Sequence, residues 1–119
     1  MIRSARHDAP VYRTLDGSLI RERMHPDVHG NRAQSLAEAT VRPGSTTRIH
    51  RHGQTEEIYY ILAGEGMLLV NNEKQAIHAG DAILIPPGAW HSVTNTGRVS
   101  LVFLCCCTPA YHHDDTELQ

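Results

Sequence analysis

Apolar and polar positions change places along this chain every few residues. The clearest apolar stretches are Ile58 to Leu62, Met67 to Val70, Ala82 to Ile85 and Val99 to Cys107, among short stretches rich in Val, Ile, Leu, Thr and Tyr. Each is bounded by turn residues: Gly64-Glu65-Gly66, Asn71-Asn72, Gly80-Asp81, Pro86-Pro87-Gly88 and Asn95-Thr96-Gly97. Gly, Pro and Asn mark places where the backbone reverses or takes positive φ. Earlier breaks fall at Asp16-Gly17, His29-Gly30-Asn31, Pro43-Gly44 and Gly53. Short strands at this spacing predict an all-β sandwich or barrel. Gln34 to Val41 contains helix-favouring Ala and Glu, but its length and flanks match its neighbours, so it reads as a strand.

The chain has 119 residues, the size of one domain. The expected layout is N-terminal strands and an arm over 1–30, a barrel over 31–109, and a loosely held polar tail over 110–119. Eleven basic and thirteen acidic residues leave a formal charge of −2. No basic stripe marks nucleic acid or an anionic membrane as a partner. No apolar run nears the ~20 residues of a membrane helix, and Met1 to Tyr12 lacks the apolar core of a secretory signal. The expected compartment is the cytoplasm. The three cysteines are consecutive, Cys105-Cys106-Cys107. They make no disulfide framework and suit a reducing environment.

Nine histidines are many for this length, and histidine is the commonest metal ligand. His50 and His52 are two apart, so in a strand their rings share a face. Glu57 follows after the turn at Gly53, and His91 opens a later strand. Imidazoles plus a carboxylate make a mixed nitrogen/oxygen donor set suited to Fe, Mn, Ni, Co, Cu or Zn.

Two segments here resemble the paired signature motifs of the cupins, small jelly-roll (double-stranded β-helix) barrels. The first motif, G-x5-H-x-H-x3,4-E-x6-G, is met by Gly44, His50, His52, Glu57 and Gly64. The second, G-x5-P-x-G-x2-H-x3-N, is met by Gly80, Pro86, Gly88, His91 and Asn95. The resemblance implies that His50, His52, Glu57 and His91 bind one divalent metal ion inside the barrel. Glu56 is the rival carboxylate; the spacing to Gly64 favours Glu57. Four protein ligands in an octahedral site would leave two positions for water, oxygen or substrate.

Several other residues carry two readings each. Tyr59 shares the face of Glu57 and is a candidate catalytic hydroxyl, although a core aromatic is the plainer reading. Glu57 itself is a candidate proton carrier. Arg48, Gln34 and Trp90 are candidate substrate contacts; a solvated arginine and a core-capping tryptophan are the plainer readings. Cys105 and Cys107 share a face, read as small apolar strand residues or as a thiol near the metal. His25 and His29 have helical spacing, but Pro26 and Gly30 argue for a loop. His112-His113-Asp114-Asp115 reads as part of the solvated tail.

The resemblance implies a metal-dependent enzyme acting on a small oxygenated organic molecule. The chemistry would be dioxygenase-like, or of the isomerase, cyclase or decarboxylase kind. The alternative is a non-catalytic cupin that binds or senses a small ligand. A homodimer is expected, paired through an outer sheet face or the strands around Val11 to Arg23.

Overall fold

The computed structural model describes residues 1–119. Eleven strands follow in chain order: β1 (Val11–Arg13), β2 (Leu19–Met24), β3 (Ser35–Val41), β4 (His50–His52), β5 (Glu56–Ala63), β6 (Glu65–Val70), β7 (Glu73–His78), β8 (Ala82–Ile85), β9 (His91–Asn95), β10 (Leu101–Thr108) and β11 (Thr116–Leu118). All pairings are antiparallel. They form a six-stranded sheet, β1-β2-β3-β10-β5-β8, and a five-stranded sheet, β11-β4-β9-β6-β7. This is an all-β barrel, as the alternation predicts, and of the jelly-roll kind that the cupin resemblance implies. No helix is long and apolar enough to cross a membrane.

Alternation within each strand decides what enters the barrel. In β5, Glu57, Tyr59 and Ile61 are buried, while Ile58, Tyr60 and Leu62 are exposed. In β10, Leu101, Phe103, Cys105 and Cys107 are buried. The apolar core gathers Ile61, Leu68, Ile77, Ile85, Val93, Leu101 and Phe103. His50, His52, His91 and Glu57 are buried alongside it.

Two motif residues are structural. A Cβ at Gly64 would lie 2.7 Å from the Ser100 carbonyl oxygen, and the residue's φ is +84°, so only glycine fits between β5 and β6. Asn95 donates from Nδ2 to the carbonyls of Val41 and Val99 and accepts from the Gly97 amide at Oδ1. It joins three segments from inside the barrel.

Two expectations about loose segments are corrected. Residues 110–119 are no free tail: β11 pairs with β4 along Thr116↔His52, Glu117↔Arg51 and Leu118↔His50. Asp115 accepts from the amides of Gln54 and Thr55, and its carbonyl accepts from Gly53. Asp115 and Thr116 bond inward, while His112, His113, Asp114, Glu117 and Gln119 remain exposed. His25 is not in a loop either. It is buried and caps a single helical turn, α1 (Pro26–His29), with proline at the first position and Gly30 closing the turn in the left-handed region.

Candidate metal centre and pocket

The three motif imidazoles come from one sheet and the carboxylate from the other. His50 and His91 are direct cross-strand partners on β4 and β9, with ring centroids 4.2 Å apart. His52 lies two residues on, 5.3 and 5.4 Å from those rings. The β8–β9 turn is tied to β4 by the Gly88 amide, which donates to the His52 carbonyl at 2.7 Å. Glu57 projects from β5 across the barrel. Its Oε1 lies 3.3 Å from His52 Nε2 and 3.5 Å from His91 Nε2. All four side chains are buried, and Glu56 is exposed.

Hydrogen bonds behind the rings fix which nitrogen carries the proton. His50 Nδ1 is 2.7 Å from the Arg48 carbonyl, and His91 Nδ1 is 2.9 Å from that of Ala89. A carbonyl only accepts, so both Nδ1 atoms are donors. His52 Nδ1 meets the Thr116 hydroxyl at 3.0 Å. That hydroxyl donates its own proton to the His112 carbonyl, so it accepts from His52. In the neutral state all three Nε2 atoms therefore bear lone pairs. A ligand nitrogen of each ring lies within 4.8 Å of the other two, so the trio could hold a metal ion.

The electrostatics ask for a cation at this point. Glu57 Oε1 and His91 Nε2 are buried without a hydrogen-bond partner. Burial pushes the Glu57 carboxyl up, whereas positive charge placed at the Nε2 positions of His52 and His91 outweighs that and holds it below the usual carboxylate range. Burial and the neighbouring His91 push the His50 imidazole down, against the opposing pull of Asp16. A buried carboxylate facing bare imidazole lone pairs is costly unless a positive charge stands between them. Three nitrogens and one oxygen are donors for a borderline transition metal, so the residues fit the implied ion.

His50 and His52 look onto a pocket of about 550 Å³, its open mouth included. His50, His52 and Glu57 line one end. Tyr12, Tyr59, Phe103 and Tyr111 form aromatic walls, and Asp16 and Glu22 add carboxyls; no lysine or arginine lines it. Tyr59 is buried between Phe103 (centroids 4.5 Å) and His91 (6.1 Å). Burial and then Glu57 raise its phenol well above the ordinary value, so it stays protonated.

The three expected substrate contacts lie outside this pocket. Arg48 is exposed because β4 begins only at His50, so strand alternation does not reach it; its amide donates to the Asp16 carbonyl. Gln34 precedes β3 and is exposed. On that strand Ser35, Ala37 and Ala39 face inward, the opposite parity. Trp90 precedes His91 and points the other way, covered by the Arg51 guanidinium at 4.4 Å.

Other residues enter that the motifs do not contain. Cys105 and Cys107 both line the pocket. Cys107 Sγ donates to Glu57 Oε2 at 3.3 Å; burial, then Glu57, pushes its thiol up, so it remains a donor. Asp16, read from sequence only as a turn residue, accepts from the amide and hydroxyl of Ser18 at Oδ1. Its Oδ2 is left 3.5 Å from His50 Nε2. A second grouping, His25, Asp27 and His112, is less suited to a metal. His25 Nε2 donates to the Tyr111 carbonyl and Nδ1 accepts from the Asp27 amide, so no lone pair is free.

Fold and site together define a jelly-roll barrel with a histidine cluster in its lumen. The family model for the cupin domain matches residues 37–107, and the chain belongs to the cupin family. It is 50% identical over 107 residues to an uncharacterized protein of Methanocaldococcus jannaschii, covering 90% of this chain and 86% of that one. It is 41% identical over 86 residues to an oxalate-binding protein of Thermotoga maritima, covering 72% and 67% respectively. A solved T. maritima structure described as a predicted oxalate decarboxylase superposes with a TM-score of 0.78 at 28% identity, over 89% of this chain and 97% of that one.

Proposed function

We propose that this cupin is a metal-dependent enzyme acting on a small, flat, oxygenated organic molecule. The observation that carries the reading is the set of three Nε2 lone pairs converging with an unpartnered Glu57 Oε1 beside an aromatic-walled pocket. His50, His52, His91 and Glu57 would hold one divalent ion of Fe, Mn, Ni, Co, Cu or Zn. Bound there, the metal supplies Lewis-acid polarisation and a template for substrate oxygen atoms. The protein's part is orientation and proton handling. Arg48, Ala89 and Thr116 lock the rings from behind. Cys107 occupies Glu57 Oε2, which aims Oε1 at the histidines. Tyr59, held protonated inside the pocket, is placed to donate a hydrogen bond to a developing oxyanion. The reaction class is dioxygenase-like or of the isomerase, cyclase or decarboxylase kind.

A second reading, binding without turnover, is supported by the likeness to the T. maritima oxalate-binding protein. The test is a panel of diketones, enols and short dicarboxylates, assayed for oxygen uptake and product by metal-stripped and reloaded protein. Turnover that returns with metal supports the enzyme reading. Saturable, metal-dependent binding with every substrate recovered intact supports the second. A chain that takes up no stoichiometric metal contradicts the enzyme reading and favours ligand capture by the empty barrel.

The exposed apolar row of Ile58, Tyr60, Leu62 and Leu84 on the outer face of β5 and β8 supports assembly as a homodimer. Three free thiols support a cytoplasmic location.

A further inference from the structure

Glu22 lies at the far end of the pocket from the Glu57 wall. Register places it opposite Ala37, which is opposite Cys105, which is opposite Tyr59. That row crosses three strand intervals, about 14 Å measured along the sheet, and all four side chains line the cavity. Glu22 Oε1 is shielded from solvent and has no hydrogen-bond partner. A buried acceptor left unpaired is costly, and no lysine or arginine lines the pocket to satisfy it. Burial raises the Glu22 carboxyl, offset in part by His25. The missing donor is one that a bound molecule would bring.

Resting on the metal-pocket reading above, we infer that Glu22 is a specificity-determining residue. The substrate ligates the metal through oxygen at one end and presents a hydrogen-bond donor, an ammonium or hydroxyl group, to Glu22 at the other. The same pocket disfavours substrates whose distal end is anionic. The aromatic walls between the two ends fit a planar ring.

The test uses the Co²⁺-loaded chain and three catechols carrying a 2-aminoethyl, an ethyl or a carboxymethyl arm. Affinity is read from the change in cobalt absorption. The wild-type protein is expected to bind the aminoethyl compound at least tenfold more tightly than the carboxymethyl compound, with the ethyl compound between them. Glu22→Gln should bring the outer pair within threefold of each other. Glu22→Asp, which keeps the charge but withdraws it by one methylene, should keep the order with a smaller ratio. Equal wild-type affinities, or a ratio that survives Glu22→Gln, overturn the inference alone. Absence of any spectral change with all three compounds overturns the metal-pocket reading and this inference with it.

Discussion

Replacing Thr116 by valine removes one hydroxyl and almost no volume, yet it should weaken metal binding at a centre to which Thr116 is not itself a candidate ligand. The hydroxyl is the only acceptor for His52 Nδ1–H in the structure, at 3.0 Å. Without it, His52 either keeps a stranded N–H or moves the proton to Nε2. Stranding a buried donor costs about 1–3 kcal/mol. Moving the proton removes the lone pair that would face the ion. Loss of the group that orients a ligating histidine typically lowers metal affinity ~10–100-fold, or about 1.4–2.8 kcal/mol, so the two routes agree in size. The assay is competition for Zn²⁺ against a chromophoric chelator, with Glu117→Ala as the control. Glu117 lies on the same strand but pairs with Arg51 at the exposed rim, and its loss should leave zinc affinity unchanged. Wild-type affinity in Thr116→Val would refute the tautomer argument, and equal losses in both variants would reduce it to damage of β11.

His52→Ala should lose most bound metal by elemental analysis, whereas His112→Ala should retain it, because His112 serves the site through its backbone carbonyl. The Arg6–Glu38 pair gives a pH signature. Hydrogen bonding to Arg6 outweighs the opposing effect of burial and lowers the Glu38 carboxyl from 4.5. Its stabilisation is therefore present above that value and disappears as pH falls through the lowered one. The melting temperature of Glu38→Gln should lie below wild type at pH 7, with the gap narrowing as pH falls below 4.5; a pH-independent gap would contradict the assignment. Light scattering should give twice the chain mass for the wild type and the single-chain mass for a Tyr60→Asp, Leu84→Glu double variant. A concentration-independent single-chain mass in the wild type would remove the dimer.

The barrel was legible because strand alternation is local, whereas the set of four ligand candidates came from the cupin resemblance, local spacing giving only the shared face of His50 and His52. Period-two burial in β5 and β10 follows from alternation, and the i, i+2 histidines of β4 must share a face. What escaped depends on contacts between residues far apart in sequence. Thr116 and Asp115 look like tail composition until β11 docks on β4, 64 residues from His52. Asp16 and Glu22 belong to strands or turns whose inward parity is set by the partner sheet. Arg48 and Gln34 failed as pocket residues for a related reason. Alternation was carried one step past where the strand begins, and inward-facing parity cannot be told from outward-facing parity without the neighbouring strands. The cysteines show the same limit: their shared face was readable, but not that it faces Glu57.

The central claim is that His50, His52 and His91, through Nε2, and Glu57, through Oε1, surround one ion. X-ray absorption at the metal edge of the zinc-loaded chain tests it directly. The account predicts one zinc per chain with imidazole scattering from three nitrogens at about 2.0–2.1 Å, falling to two in His91→Ala. A first shell dominated by sulfur near 2.3 Å, which would place Cys107 on the metal, or a spectrum without imidazole scattering, would contradict it.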